Sequence, residues 1–361
     1  MNVTTASASG KLCIADIARL SGVSTAAVSA VLNNRPKVSA ATRARVLDVM
    51  QKHHYTPHSA ARALSGKRTY QIGFLLSCKV TLGLANNYYA TMLSGVHDVC
   101  RKRKYNVLIS TYDMSSITAF TMPTPIRQYN LDGLVVTGMA ELQNLREIQQ
   151  TGLPFITVGG DYPDDILCVK NDMLDVNTRI LSFFYTLGHR RIVTPVFYPV
   201  TEQLYREALR RLHDINGWHD LEVEFSYYDR DDFICGALLA DRWLACRPEE
   251  RFTALAANDQ FCAGFLGKAI AGGAHCPEEI SVLATETPLS RYGIIPMTSC
   301  DEHIFLLGQQ GAMHLLDLIE GKRSFEEVES YLKLFRNSVE IIVRNSTAPV
   351  SLPAGAGTEV R

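Results

Sequence analysis

The chain has 361 residues, which is enough for two or three compact units that each contain an apolar core. Its composition, 47% hydrophobic and 20% charged, is ordinary for a globular protein, and no apolar run is long enough to cross a membrane. Charge is unevenly distributed, because residues 1–70 carry ten Lys/Arg against two Asp, a net +8, whereas the whole chain carries −1. A basic segment joined to an acidic body favours binding of that segment to a polyanion such as nucleic acid.

Residues 13–33 predict two short helices joined by a tight turn. An apolar stripe begins at Ile14, Gly22 is expected to end the first helix, and Ser24 is expected to cap the second. The inward face of the second helix is predicted to consist of Ala27, Val28, Val31 and Leu32. This pattern is typical of a helix-turn-helix, whose second helix can lie in the DNA major groove. An ordinary helical hairpin is the alternative.

A third helix is predicted to start after Ser39 and to end at the Tyr55-Thr56-Pro57 sequence. The helical headpiece is therefore expected to span residues 11–57. A short Ala-rich helix follows and is assigned, with a basic linker, to residues 58–69.

From Tyr70 onward, short apolar runs alternate with helical patterns, and the next unit is assigned to residues 70–344. Predicted strands lie at 72–76, 107–109, 133–136, 155–158, 192–194, 222–227, 254–256 and 280–283. Predicted helices lie at 89–103, 142–150, 176–187, 202–214, 233–245 and 260–271. This α/β alternation predicts two doubly wound subdomains that form a two-lobed core with a ligand crevice at the carboxyl ends of the strands. Residues 345–361 are rich in Pro, Gly, Ser and Thr and are expected to be disordered.

Nine cysteines are scattered along the chain, and none forms a Cys-x-x-Cys motif or pairs with His at metal-ligand spacing. We therefore expect reduced thiols in a cytoplasmic protein, with no metal and no cofactor. The first residues lack the apolar core of a secretory signal.

Several segments, in order, resemble the lactose-repressor (LacI/GalR) family of bacterial transcription factors from about Leu12 to Thr347. Besides the helix-turn-helix, the resemblance rests on 38–43, 55–57, 61–64, 86–89, 131–134, 187–192, 257–260, 277–282 and 343–347. It implies an all-α headpiece with a hinge helix and a two-lobed core resembling periplasmic binding proteins. It also implies a homodimer on a near-palindromic operator in double-stranded DNA, and a small effector between the lobes that changes hinge order and DNA affinity.

The resemblance assigns DNA contacts to Ser24, Thr25, Ala26, Ser29, Ala30, Asn33, Lys37, Ser39, Thr42, Tyr55, Arg62 and Leu64. Leu64 holds the position of the residue that wedges between base steps in the minor groove. Ala30 stands where relatives commonly carry an Arg that pairs with guanine, and alanine offers only apolar contact. Our hypothesis is that phosphate contacts and groove shape dominate recognition here. A recognition helix that no longer reads DNA is the alternative.

The resemblance assigns effector contacts to Ser77, Tyr88, Tyr89, Asp161, Thr201, Asp259 and Glu302. Thr201 stands where relatives carry an effector-anchoring Arg, so an acidic effector is disfavoured and a neutral sugar is expected. An altered or absent effector response is the alternative.

Two other classes of protein share such a core. A periplasmic sugar-binding protein would carry a signal peptide and no basic headpiece, whereas this chain has the opposite features. An enzyme on this scaffold is disfavoured because no Gly-x-Gly-x-x-Gly follows a strand and no phosphate-binding loop is present. We therefore expect a DNA-binding regulator, most simply a repressor, and not an enzyme.

Overall fold

The computed structural model describes residues 12–32, 38–53, 55, 68–80, 82–128 and 130–350. These residues contain 13 α-helices and 11 β-strands. The chain divides into two units: Met1–Tyr70 with Gln128–Asn130, and Gln71–Arg127 with Leu131–Arg361. Within the described ranges no single helix is long and apolar enough to span a bilayer.

The first unit contains α1 (Ile14–Ser21), α2 (Thr25–Leu32) and α3 (Ala40–Lys52). Gly22 ends α1 in the left-handed region at φ +64°, a conformation that glycine adopts without steric cost. Side chains from all three helices form a small apolar core of Ile17, Ala18, Val28, Val31 and Val46. The predicted three-helix headpiece is thus the fold of the described part of this unit.

The second unit contains two sheets, and the first has five parallel strands in the order β2-β1-β3-β4-β5. Its strands are β1 (Gln71–Ser77), β2 (Asn106–Tyr112), β3 (Gly133–Thr137), β4 (Phe155–Val158) and β5 (Cys168–Val169). All residues of β3 and β4 and nearly all of β1 are buried, as expected of strands covered by helices on both faces.

The second sheet has six strands in the order β11-β10-β9-β8-β6-β7, in which only β11 runs antiparallel to its neighbour. Its strands are β6 (Arg191–Val196), β7 (Glu222–Tyr227), β8 (Ala254–Ala256), β9 (Ser281–Thr285), β10 (Thr298–Asp301) and β11 (Glu340–Ile342). The two sheets with their helices form the two lobes of a doubly wound core, which confirms the predicted fold class.

The first lobe takes its helices from two stretches of the chain, whereas the second lobe takes all of its helices from one stretch and adds strand β11 from beyond the third crossing. The first lobe contains α4 (Asn87–Lys102), α5 (Thr124–Arg127), α6 (Leu142–Gln150), α12 (Ile304–Glu320) and α13 (Phe325–Leu334). The second lobe contains α7 (Met173–Thr186), α8 (Pro199–Asn216), α9 (Phe233–Ala245), α10 (Asp259–Ala271) and α11 (Pro288–Tyr292). The chain therefore crosses between the lobes three times, near residues 171, 302 and 337.

Hydrogen bonds join these three crossings. The carbonyl oxygen of Glu302 accepts from Asn171 Nδ2 at 3.1 Å and from Asn337 Nδ2 at 2.7 Å. Asn337 Nδ2 also donates to Asn171 Oδ1 at 3.0 Å. Because all three crossings meet in this network, it forms a natural pivot between the lobes.

The expected disorder of residues 345–361 is wrong for 345–350, and the rest of that segment lies outside the described residues. Ser346 is fully buried, and its hydroxyl donates to Val282 O at 2.6 Å and accepts from Thr298 N at 2.8 Å. The backbone N–H of Val350 donates to Leu187 O at 2.8 Å. The composition of this segment suggested disorder. Its hydrogen bonds, however, satisfy buried polar groups of β9 and β10, and the same bonds hold the segment in place.

Candidate functional site

In the headpiece, α2 presents the residues that the sequence assigned to base contact. Val28 and Val31 are buried and anchor the helix, whereas Thr25 and Ala26 are exposed and Ala30 is half-buried. The outward surface of α2 therefore carries only short side chains. It can lie close to the bases in a groove, but it offers no long side chain to read them.

Two headpiece hydroxyl groups that were assigned to DNA contact, those of Ser24 and Ser39, also cap helices. Ser24 Oγ accepts from Ala27 N at 3.2 Å at the start of α2. Ser39 Oγ accepts from Thr42 N at 3.2 Å and donates to Thr42 Oγ1 at 2.9 Å. The Ser39 hydroxyl thus donates its proton within the headpiece, whereas the Thr42 hydroxyl can still donate to an acceptor outside it.

Each of the two acidic side chains of the headpiece forms an ion pair with a nearby basic side chain. Asp16 lies 3.2 Å from Arg19, and Asp48 lies 2.9 Å from Lys52. Hydrogen bonds from Cys13 and Arg19 hold the pKa of Asp16 below its usual value. Both acids are therefore paired within the headpiece.

Tyr55 is half-buried and packs against the headpiece core, and this burial raises the pKa of its phenol. Ser29 is half-buried on α2. The remaining residues assigned to DNA contact, Asn33, Lys37, Arg62 and Leu64, lie outside the described residues, as does most of the predicted hinge segment 58–69.

In the two-lobed unit, Tyr88 and Tyr89 lie in the first turn of α4, just after Asn86 caps that helix. Their rings meet edge to face with centroids 5.3 Å apart. Burial, the nearby Glu302 and Tyr89 raise the pKa of Tyr88. Burial, Tyr198, Asp231 and Tyr162 raise the pKa of Tyr89. Residues of both lobes thus surround this aromatic pair.

Asp259 is the first residue of α10 in the second lobe and is only 2% exposed. Its Oδ2 atom accepts from Thr287 Oγ1 at 2.6 Å within the same lobe. It also accepts from Asn87 Nδ2 of the first lobe at 2.9 Å. Next to it, Gln260 Nε2 donates to Ala85 O at 3.0 Å, which is a second hydrogen bond between the lobes.

Glu302 lies at the second crossing between the lobes and is 7% exposed. Burial raises the pKa of its carboxyl to about 7, although a hydrogen bond with the Asn171 side chain opposes the rise and Asp301 adds to it. A carboxyl with such a pKa can exist in either protonation state near neutral pH and can donate to or accept from a polar ligand.

The other three assigned effector residues differ in their surroundings. Ser77 is fully buried at the end of β1, and its hydroxyl accepts from Lys79 N at 3.4 Å. Thr201 is half-buried in the first turn of α8. Asp161 is not enclosed with them, because its side chain is 83% exposed and forms an ion pair with Lys170. The expectation that Asp161 lines the crevice is therefore not supported by its position.

Sequence reasoning missed the partners of these residues. Asn87 and Thr287 contact Asp259 across 172 and 28 positions of sequence, and no local pattern links them. Asn87 lies in the 86–89 motif, from which only the two tyrosines were assigned to the effector site.

Glu286, which precedes Thr287 in the chain, is buried and bound by arginines within the second lobe. Arg291 Nε donates to its Oε1 at 2.8 Å, and Arg344 donates to its two carboxylate oxygens at 2.7 and 3.0 Å. Burial opposes ionisation, yet hydrogen bonds from Arg344, Ser299 and Arg291 keep the pKa of Glu286 below its usual value. The negative charge of Glu286 is thus paired with arginines inside the second lobe.

Comparison with known proteins matches two segments to described families. Residues 13–58 match "Bacterial regulatory proteins, lacI family", and residues 181–347 match "Periplasmic binding protein-like domain". The probable HTH-type transcriptional repressor ExuR of Bacillus subtilis (strain 168) is 24% identical over 343 residues, which cover 92% of this chain and 97% of that protein.

Two solved structures share the fold along most of the chain. A lac repressor dimer bound to operator and the anti-inducer ONPF superimposes with a TM-score of 0.73 at 21% identity, covering 94% of this chain and 99% of that chain. A complex of the transcriptional regulator CelR with cellobiose superimposes with a TM-score of 0.61 at 22% identity, covering 93% and 100%.

Proposed function

Since the chain belongs to the LacI family of DNA-binding bacterial regulatory proteins, we propose that it is a repressor whose operator affinity is set by a small molecule between its lobes. Related proteins are transcriptional regulators, so the chain is a regulator and not an enzyme, as the sequence predicted. The observation that carries the proposal is the basic three-helix headpiece, with a net charge of +8 over residues 1–70, joined to an acidic two-lobed body.

The proposed DNA contact uses the exposed surface of α2. Thr25 and Ala26 lie in the first turn of that helix, and both of the headpiece acids are neutralised by Arg19 and Lys52. The net charge of +8 over residues 1–70 attracts phosphate without regard to sequence, and close approach of the short side chains of α2 to the groove supplies shape recognition.

The test begins with selection of double-stranded DNA from a random library by the full chain, followed by affinity measurements between 50 and 200 mM salt. The logarithm of the binding constant is expected to fall linearly with the logarithm of salt concentration. A strongly required guanine opposite residue 30 would contradict the proposed shape-based recognition. Absence of any salt-sensitive affinity, with the headpiece folded, would contradict DNA binding itself.

A matched pair of variants locates the contact. Ala26→Glu adds one negative charge to the exposed face of α2, at a position near the helix N-terminus where an acid does not disfavour the helix. Ala271→Glu adds the same charge at an exposed position at the end of α10. We expect Ala26→Glu to weaken affinity for the selected DNA by about tenfold or more and Ala271→Glu to leave it within about twofold.

For the effector we propose a neutral sugar. The crevice offers the Tyr88 and Tyr89 rings with the buried Asp259 and Glu302 carboxyls, and position 201 is Thr. Aromatic faces and hydroxyl-accepting carboxylates suit a polyhydroxylated ring, whereas an acidic ligand would meet like charge. The CelR complex, which contains cellobiose, supports this choice by similarity of fold.

Thermal unfolding of the full chain with glucose, ribose, cellobiose and glucuronate tests this choice. A ligand that binds the folded state stabilises it by about 2.7 kcal/mol at a concentration of 100 times its Kd. We expect a neutral sugar to raise the Tm and glucuronate to leave it unchanged. A larger rise with glucuronate would contradict a neutral effector.

A further inference from the structure

Asp259 was expected to receive hydroxyl groups of a ligand, yet its Oδ2 atom already accepts two hydrogen bonds from the chain itself. Thr287 donates at 2.6 Å and Asn87 donates at 2.9 Å. A carboxylate oxygen has about two well-directed acceptor positions, so these two donors occupy that atom. A ligand hydroxyl that needs Asp259 Oδ2 must therefore replace one of them.

The two donors differ in where they come from. Thr287 caps α11 in the second lobe, the same lobe as Asp259, and its hydroxyl also accepts from Leu289 N at 3.2 Å. Asn87 is the first residue of α4 in the first lobe. Displacing Thr287 would disturb a helix cap, whereas displacing Asn87 only breaks a contact between the lobes. Asn87 is therefore the donor that a ligand can replace at lower cost.

This inference rests on the proposed function, because it concerns the same crevice. We propose that Asn87 is an affinity-determining residue of the effector site, since its carboxamide competes with the ligand for Asp259 while holding the two lobes together. The effector must break the contact between Asn87 and Asp259, and the free energy of that contact is subtracted from the free energy of binding.

The size of the effect follows from the kind of contact. The hydrogen bond joins an amide to a buried carboxylate that is 2% exposed, and hydrogen bonds to charged groups are stronger than neutral ones. Removing the Asn87 donor is expected to tighten binding of a sugar that uses Asp259 by about tenfold. If Asn87 instead contacted the ligand directly, its removal would weaken binding.

Gln260→Ala is a matched control. Gln260 Nε2 donates to Ala85 O at 3.0 Å, so its removal also loosens the junction of the lobes. It leaves the Oδ2 atom of Asp259 with both of its donors. An effect that comes from freeing Asp259 will therefore separate Asn87→Ala from Gln260→Ala, whereas a general loosening will not.

Isothermal titration calorimetry of the full chain with glucose, ribose and cellobiose tests the proposal in the wild type, Asn87→Ala and Gln260→Ala. We expect Asn87→Ala to bind at least one of these sugars about tenfold more tightly than the wild type, and Gln260→Ala to stay within about threefold. Equal or weaker binding by Asn87→Ala, or equal tightening in both variants, overturns the proposal while a neutral effector stands. Absence of binding to all three sugars in every protein overturns both, and DNA binding is still judged by its own salt-dependence test.

Discussion

At the scale of single residues, Glu302 shows how the junction of the lobes couples to pH. Its backbone carbonyl accepts from two asparagines of the other crossings, while burial raises the pKa of its side chain to about 7. A residue at the pivot therefore holds a proton that solvent exchanges near neutral pH. Any change in that protonation acts at the junction of the two lobes.

We predict that Glu302→Gln removes a pH-dependent part of core stability. Because the folded pKa is raised above the unfolded value of 4.5, the contribution of Glu302 is fully present below about pH 4.5 and is lost as pH rises through 7. Relative to the wild type, the variant should gain up to about 3 kcal/mol between pH 4.5 and 7.5. Urea unfolding of both proteins across this range measures the difference.

The comparison of the two proteins also cancels an opposing contribution. Burial lowers the pKa of His189 and His314 to about 4, so these residues reduce stability as pH falls from 6.5 toward 4. Both histidines are present in each protein. A stability difference between wild type and Glu302→Gln that stays constant with pH would show that Glu302 does not carry a raised pKa.

At the scale of elements, local signals predicted the headpiece well. Gly22 ends α1 and Ser39 caps α3, as the sequence indicated, because both effects depend on neighbouring residues alone. The end of the second sheet was harder to predict from the sequence. Strand β10 has the sequence Thr-Ser-Cys-Asp, and its buried hydroxyls hydrogen-bond to Thr347 and Glu286, while the backbone N–H of Thr298 donates to Ser346 Oγ. Such long-range satisfaction leaves no periodic pattern, and the predicted elements accordingly stop at residue 283.

The residues of the candidate effector crevice were likewise predicted only in part from the sequence. Tyr88 and Asp259 lie in motifs that carry the resemblance and Glu302 was assigned by its position alone; all three lie at the junction of the lobes, and their contact with an effector stays a prediction. Their partners were not found, since Asn87 reaches Asp259 only after both lobes have folded. Asp161 follows β4 in sequence, but its side chain is exposed to solvent and pairs with Lys170.

We predict that Gly22→Ala impairs DNA binding through the turn of the headpiece. Gly22 has φ +64° with open space around its Cα, so alanine there meets only backbone strain of about 1–2 kcal/mol. This strain destabilises the headpiece, whose apolar core is small, so the affinity of the protein for the selected DNA should fall severalfold. Gly217→Ala, at φ +71° and equally open, carries the same strain in the second lobe. It should lower core stability and leave DNA affinity unchanged, and equal DNA affinity in both variants would contradict the prediction.

We also predict that Ser346→Ala destabilises the second lobe by about 1–3 kcal/mol, because it leaves the buried N–H of Thr298 without its acceptor. Guanidinium unfolding of the full chain measures the loss. Thr347→Ala removes a half-buried hydroxyl that contacts Thr298 Oγ1 at 2.7 Å and should cost less. Equal effects of the two variants would mean that burial of the Thr298 backbone is not the cause.

At the scale of the whole molecule, the second lobe exposes apolar side chains that a homodimer would cover. On α9, Phe233 is 40%, Ile234 57% and Leu238 51% exposed. Clustered apolar exposure of this kind marks an interaction surface, and we propose that a second copy of the chain covers it. The related lac repressor was solved as a dimer on its operator.

We predict that Ile234→Glu with Leu238→Glu yields a monomer in sedimentation experiments and weakens binding to a two-half-site DNA by at least about a hundredfold, since each headpiece then binds alone. Ile215→Glu is the control, because Ile215 is 71% exposed near the end of α8, away from α9 in sequence. It should leave both the mass and the DNA affinity unchanged. A dimer that persists in the double variant would exclude α9 as the subunit interface.

The three crossings also determine when the core can be completed during synthesis. The first lobe needs α12 and α13, which end at Leu334, and the second lobe needs β11 and the segment up to Val350. Neither lobe is a continuous stretch that the ribosome can finish early, although N-terminal units generally fold first as they emerge. The headpiece is therefore synthesised long before the two-lobed unit can be completed, and a chain that ends before Leu334 carries two unfinished lobes.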